Sequence, residues 1–364
     1  LRTLFNDDLH DVYREMLTGF YTVLKDADRY LRFVFITGVT KFSQLGIFSN
    51  LNQLMDISMA PDYATICGMT KVEIERDFQP ELAALATMNK LTYEQTVNEM
   101  TKRYDGYHFS EFLSDGIYNP FNVLNALVQK RFSSYWFATG TPTMLVDTLK
   151  KTDYDLRQLD GIEVPAAALI DYRADFHNPV PIIYQSGYLT IKGYDPAKDF
   201  YTLDFPNAEV KYGWLNFITP YYTPLSESTA PFYIGKFWDE LRAGDVDAFM
   251  ERLHAFFEGI PYELNSKTER HYQVIFYIVF KLLGQYVDAE VRSARGRADA
   301  VVKTTDYIYV FEFKLDGSVD EVLRQIDEKG YLIPYTVDSR QLVKVGASFD
   351  KEKRNIGEWK AIFC

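Results

Sequence analysis

Apolar positions along the chain change spacing several times, and each change marks an expected element. Leu4, Phe5, Leu9, Val12, Tyr13, Met16, Leu17, Phe20, Tyr21 and Leu24 recur at three- and four-residue intervals, which predicts one or two amphipathic helices over residues 1–30. Residues 31–38 form instead a short, nearly continuous apolar run ending in the polar stretch Thr37–Ser43. That is the pattern of a buried parallel strand with ligand groups at its carboxyl edge. Helical spacing returns in Lys71–Ala86, which opens after Thr70 with Glu73 set for a capping box. It continues in Tyr93–Tyr104, Pro120–Phe132 and Pro142–Lys150. Between Pro179 and Pro206 the runs Ile182–Tyr184 and Gly187–Ile191 are separated from Phe200–Phe205 by turn-rich residues 193–198. A small β-hairpin module of winged-helix-like order is expected there, and its local acidity favours a structural role over contact with DNA.

Pro224, Ser226, Ser228 and Pro231 make residues 221–231 linker-like and set an expected boundary. Helices Phe232–Leu241, Val246–Phe257 and His271–Leu283 follow. Residues 296–314 then read as two β-branched and aromatic runs broken by Lys303–Asp306, the composition of an antiparallel hairpin. With Thr305 and Asp306 as the turn, facing positions sum to 611, so Asp299 stands opposite Glu312. On the second strand Glu312 and Lys314 share one face, and Tyr309, Phe311 and Phe313 share the other. Asp299, Glu312 and Lys314 are therefore expected to converge. Two carboxylates this close are unfavourable without a cation or a shared proton, and hard oxygen ligands suit Mg²⁺ or Mn²⁺. The plainer alternative is a solvated hairpin face on which Lys314 pairs with the acids; the Val, Tyr and Phe around them argue against it. A helix Val319–Lys329 and a strand Leu342–Val345 complete the pattern.

Length, charge and cysteine content then narrow the class. A chain of 364 residues suggests two or three domains, and 27 Tyr with 27 Phe can build substantial cores. A formal net charge of −12 argues against nucleic-acid handling until it is divided along the chain. Residues 261–364 balance 16 basic with 16 acidic side chains, so the whole excess belongs to the first 260 residues. Arg292, Arg295, Arg297 and Lys303 cluster beside the hairpin, with Arg324 and Lys329 on the next helix. A basic rim around an acidic metal centre is what a phosphodiester needs, although an ordinarily solvated surface fits the counts equally well. Cys67 and Cys364 indicate neither a disulfide framework nor a zinc site. Without a signal peptide or a membrane-spanning run the simplest expectation is a cytoplasmic protein, and the opening on Leu1 within a helical pattern suggests a fragment of something longer.

Two family resemblances add to this reading. Asp299, twelve intervening residues and Glu312-Phe313-Lys314, preceded by Gly296-Arg297-Ala298, resemble the bipartite signature of PD-(D/E)XK nucleases. The order helix, hairpin, helix, strand is similar to the αβββαβ restriction-endonuclease-like core of that family. The resemblance also implies a metal-coordinating role for Glu269 at the start of the apolar helix. Gln325 and Tyr331 resemble the Gln…Tyr element of exonuclease-like branches at a wider spacing.

Residues 35–42, 48–52, 63–70, 104–109, 118–121 and 135–142 resemble the later part of the AAA-ATPase-like domain that precedes such nucleases in many bacterial proteins. The implied fold class is α/β: a truncated AAA-like ATPase remnant (1–70), a helical lid with the small hairpin module (71–225), and the PD-(D/E)XK core (226–364). No Gly-x-x-x-x-Gly-Lys-Ser/Thr loop is present, and paired acids are absent upstream of Thr37, so no ATP site is expected in this chain.

The implied activity is metal-dependent hydrolysis of nucleic-acid phosphodiesters, by in-line attack of a water activated by Mg²⁺ or Mn²⁺. Asp299 and Glu312 would hold the ion, with Glu269 contributing directly or through water. Lys314 would orient the water or neutralise the phosphate, and Gln325 would position water or backbone. Nucleic acid is the expected partner, DNA in preference to RNA, with no membrane and with homo-oligomer formation left open. The alternatives are a non-catalytic nucleic-acid or protein-binding module, and a fragment of an ATP-driven protein whose nucleotide site is not in this chain.

Overall fold

Capping side chains and prolines decide where the helices of the first half begin. The computed structural model describes residues 7–38, 54–112, 115–138, 145, 149, 154–170, 178–223, 225–226, 229–260, 269–286, 288–291, 299–315, 317–350 and 352–364. The chain divides into two units, 1–154 with 158–211 and 155–157 with 212–364.

In the first unit, helix α1 (Asp7–Asp26) forms within the amphipathic pattern. The run after it does not become the expected strand. Residues 31–38 make no strand pairing, and Phe33 is 80% exposed with its ring stacked on Phe35 at 6.3 Å. A buried parallel strand needs neighbours to receive its amides and cover its side chains, and among the described residues no strand lies beside this one.

Thr70 opens α2 (Lys71–Asp77) with its capping box complete: Glu73 N–H donates to Thr70 Oγ1 at 3.2 Å, and Thr70 N–H to Glu73 Oε2 at 2.8 Å. The expected helix Lys71–Ala86 is two helices. Pro80 has no amide to donate and its ring clashes with a preceding turn, so the chain breaks at Phe78 and restarts as α3 (Gln79–Asn89) with the proline in its first turn. Thr92 and Gln95 make a second complete box at α4 (Tyr93–Tyr104), which has the expected bounds. Asn119 caps α5 (Pro120–Gln129), which ends short of Phe132 at Lys130 in the left-handed conformation. Of the expected helix Pro142–Lys150, only Leu145 and Leu149 are described, both helical.

β1 (Ile162–Pro165), α6 (Ala166–Ile170), α7 (Val180–Gln185), β2 (Thr190–Asp195) and β3 (Phe200–Asp204) follow. β2 and β3 are the expected hairpin, and β3 also pairs with β1 in a three-stranded antiparallel sheet. Ile182–Tyr184, expected to be extended, lies within α7 because Pro181 presets the first helical turn.

The aromatic turns at 104–109, 118–121 and 135–138 gather around a carboxylate that the sequence pattern does not mark. Glu209, in the first turn of α8 (Ala208–Tyr222), is 5% exposed. It accepts hydrogen bonds from Trp136 N–H at 2.9 Å and from the Asn122 side-chain amide, and burial pushes its pKa up to about 7. Beside it the Asn207 amide donates to Asp105 O at 2.9 Å, while Lys192 Nζ donates to Gly106 O at 3.0 Å and to Pro206 O at 3.2 Å. Tyr104, Tyr118 and Tyr135 of these turns are buried in one apolar cluster with residues of α2, α3, α4 and α5.

In the second unit, α9 (Ala230–Ala243), α10 (Val246–Glu258) and α11 (Glu269–Leu283) accompany a five-stranded sheet. Its order is β4 (Asp288–Val291), β5 (Ala300–Lys303), β6 (Tyr307–Leu315), β7 (Gln341–Asp350) and β8 (Asn355–Phe363). Neighbours are antiparallel except β6 and β7, which are parallel because helix α12 (Val319–Glu328) carries the chain back between them.

Period-two alternation on β6 sets two faces. Phe311 and Phe313 meet rings of α10 and α11: Phe313 stacks on Phe276 at 4.0 Å, and Phe311 lies 5.0 Å from Phe280 and 5.5 Å from Phe249. Tyr309 on the same face donates its hydroxyl to Leu241 O at 2.7 Å. Ile308 and Val310 point the other way, into a cluster with Val319, Leu323 and Ile326 of α12. Each large apolar side chain buried this way stabilises the unit by roughly 1.5–3 kcal/mol. The chain is thus mixed α/β, and the order α11, β4, β5, β6, α12, β7 is compatible with the expected αβββαβ core, with β8 added beyond it. Among the described residues, no helix is long and apolar enough to cross a membrane.

Candidate active site

The β5–β6 hairpin has the expected register, with Ala300 opposite Phe311 and Lys303 opposite Ile308. Thr304 N–H donates to Tyr307 O at 2.8 Å and closes a loop that leaves only Thr305 and Asp306 between the flanking residues. One step beyond the last pair, Asp299 and Glu312 meet. Asp299 N–H donates to Glu312 Oε2 at 3.2 Å, and Phe313 N–H donates to Asp299 Oδ2 at 2.8 Å. Each carboxylate is therefore held by the other strand's backbone.

Glu312 is 6% exposed. Burial first, and then the negative charge of Asp299 beside it, push its pKa up to about 8, partly offset by the Asp299 amide. At neutral pH this carboxyl requires a proton or a cation. Helix α12 supplies the remaining contact: Gln325 Nε2 donates to Glu312 Oε1 at 2.5 Å. Gln325 was expected to position water or backbone, and its observed partner is the carboxylate. Tyr331, just past α12, has its hydroxyl pKa raised by burial first and by the Glu312 charge next.

Lys314 follows Glu312 by two residues and leaves the same face of β6, but its Nζ lies 3.0 Å from Glu321 Oε2 on α12. The three side chains expected to converge are thus a carboxylate pair with a lysine drawn to one side. Glu269 is the first residue of α11, and its side chain lies outside the described residues, as do Arg292, Arg295 and Arg297. Lys303, four residues along β5 from Asp299, stands 5.5 Å from the Tyr335 ring, and Arg324 pairs with Glu328 at 3.3 Å. These two members of the expected basic rim therefore have other partners. Glu321 was missed in the sequence, although Ser318-Val319-Asp320-Glu321 has the order of a capping box.

Among the described residues no group of three or more His, Cys, Asp or Glu side chains is placed to hold a metal. The donor chemistry of Asp299 and Glu312 nevertheless fits a hard divalent cation: both offer carboxylate oxygens, and among the described residues no positive charge compensates the buried member.

Comparison with known proteins bears on the same region. Residues 267–359 match the PD-(D/E)XK nuclease superfamily, and residues 1–48 match a family described as predicted AAA-ATPase. The chain is 31% identical over 352 residues to an uncharacterized protein in the vnfD 5′ region of Azotobacter chroococcum mcd 1. That alignment covers 94% of this chain and 66% of the relative, so the chain spans just under two thirds of the relative's length. No solved structure matches the chain. The segment that holds Asp299 and Glu312 against each other is the one that matches the PD-(D/E)XK nuclease superfamily, and it follows an N-terminal segment similar to predicted AAA-ATPases.

Proposed function

We propose that the second unit hydrolyses phosphodiester bonds of nucleic acid, DNA in preference to RNA, with Mg²⁺ or Mn²⁺ held by Asp299 and Glu312. The observation that carries this reading is the reciprocally pinned carboxylate pair, with Glu312 buried, within a segment matching a nuclease superfamily. A structural role alone is a poor account of it, since two crowded carboxylates weaken a fold unless something cationic joins them.

When bound, a divalent ion would supply neutralising charge at the phosphate and lower the pKa of water. The amides of Asp299 and Phe313 fix one oxygen of each carboxylate, and the Gln325 amide fixes the second oxygen of Glu312. Lys314, whose side chain is 46% exposed, can offer its ammonium to an approaching phosphate. Glu269, at the start of α11, is the third candidate ligand. The first unit is read as an AAA-like remnant with its lid, and no ATP site is assigned to it, because the sequence has no phosphate-cradling loop.

The test is incubation with linear and circular, single- and double-stranded DNA and RNA, in Mg²⁺ or EDTA, beside Glu312→Gln and Lys314→Ala. Cleavage by the wild type in Mg²⁺ alone supports the reading. Undiminished cleavage by Glu312→Gln overturns it.

A further inference from the structure

Helix α12 begins with a capping-box sequence, Ser318-Val319-Asp320-Glu321, yet only half of the box forms. Glu321 N–H donates to Ser318 Oγ at 3.3 Å. In the complete boxes at Thr70 and Thr92, the third side chain of the helix reaches back to the cap amide. The Glu321 carboxylate turns instead to Lys314, with Oε2 3.0 Å from Nζ. Its neighbour Asp320 accepts from Lys360 Nζ at 3.2 Å.

Lys314 and Glu312 leave the same face of β6 roughly 7 Å apart along the strand, within reach of a lysine side chain. Two carboxylates, one of them buried, are a strong attractor for that ammonium. The lysine nevertheless stands at the first turn of α12, and among the described residues the charge that acts on the Glu312 carboxyl is the repulsive one of Asp299.

We propose that Glu321 is a positioning residue that keeps the Lys314 ammonium off the Asp299–Glu312 pair and so leaves the pair open to a divalent cation; this rests on reading the pair as a cation site. Without Glu321, Lys314 would swing onto the carboxylates, neutralise them and compete with the cation. With Glu321, the ammonium waits half exposed, where an anionic phosphate can take it from a solvated partner.

Mn²⁺ binding to the full chain, measured by isothermal titration calorimetry, tests this in wild type, Glu321→Gln, Lys314→Met and the double variant. Glu321→Gln is expected to weaken Mn²⁺ binding by roughly ten-fold, whereas the same change in the Lys314→Met background alters it less than about two-fold. Glu321→Asp, which keeps the charge on a shorter arm, is expected to fall between wild type and Glu321→Gln. Wild-type affinity in Glu321→Gln, or an equal loss with and without Lys314, overturns the inference and leaves the cation site standing. Absence of Mn²⁺ binding by the wild type overturns both.

Discussion

Gln325 on α12 and Glu312 on β6 are joined by a 2.5 Å hydrogen bond from the amide nitrogen to the carboxylate. The helix that covers this face of the sheet thereby also orients the group proposed to bind the cation. Gln325→Ala leaves a buried oxygen without its donor, and the expected loss of stability is about 1.5–3 kcal/mol. Urea unfolding in EDTA measures that loss, and Mn²⁺ titration of the same variant is expected to show weaker binding.

Stability is expected to fall as pH rises, in a window set by two buried carboxyls. Burial is the leading cause in both cases, and it pushes Glu312 up to about 8 and Glu209 up to about 7, from an ordinary value of 4.5. A carboxyl whose folded pKa exceeds its unfolded value holds its proton more tightly when folded. Its contribution is complete below the unfolded pKa and is lost as pH rises through the folded one. In EDTA the melting temperature should therefore drop between pH 5 and pH 8.5. Mn²⁺ at pH 8 should recover the part that belongs to Glu312 and leave the Glu209 part untouched. Calorimetric melts at constant ionic strength give the comparison, and a melting temperature that climbs over this range would contradict it.

Glu312→Gln separates charge from shape. Cleavage should fall by more than about 10²-fold, while the metal-free protein at pH 8 should gain on the order of 1 kcal/mol, because a crowded negative charge has been removed. A cleavage assay paired with thermal melting of the same preparation reads both. Loss of activity together with loss of stability would mean that the carboxylate serves the fold instead.

Gly244 closes α9 in the left-handed conformation at φ 82°, where a Cβ would lie 2.5 Å from the Tyr307 hydroxyl oxygen. Gly244→Ala combines backbone strain with that clash and should cost about 2 kcal/mol. Urea unfolding checks the magnitude. Cleavage per folded molecule should stay as in the wild type, since the substitution leaves the carboxylate pair in place.

The hairpin register was readable from the sequence because two independent constraints leave one pairing: alternation along β6 and a loop of two residues. The helix starts at Thr70 and Thr92 were readable because capping is local chemistry. The break at Pro80 was equally local, in a missing amide, but the apolar periodicity across it suggested one continuous helix. Partners chosen across elements were hidden. The aim of Gln325 at Glu312 and the turn of Lys314 toward Glu321 depend on where α12 lands, which no local pattern states. Residues 31–38 show the same limit for backbone, since an apolar run becomes a strand only where other strands receive it.

β6 is gripped from beneath by rings: Phe313 lies on Phe276, and Phe311 sits between Phe280 and Phe249. These rings hold β6 from the face opposite the one that carries Glu312, while α12 packs on Ile308 and Val310 further along the same face as Glu312. Loops and charged groups bordering the acidic surface can be exchanged over generations with little effect on where Asp299 and Glu312 stand, which leaves such a scaffold free to drift toward new targets at its margins.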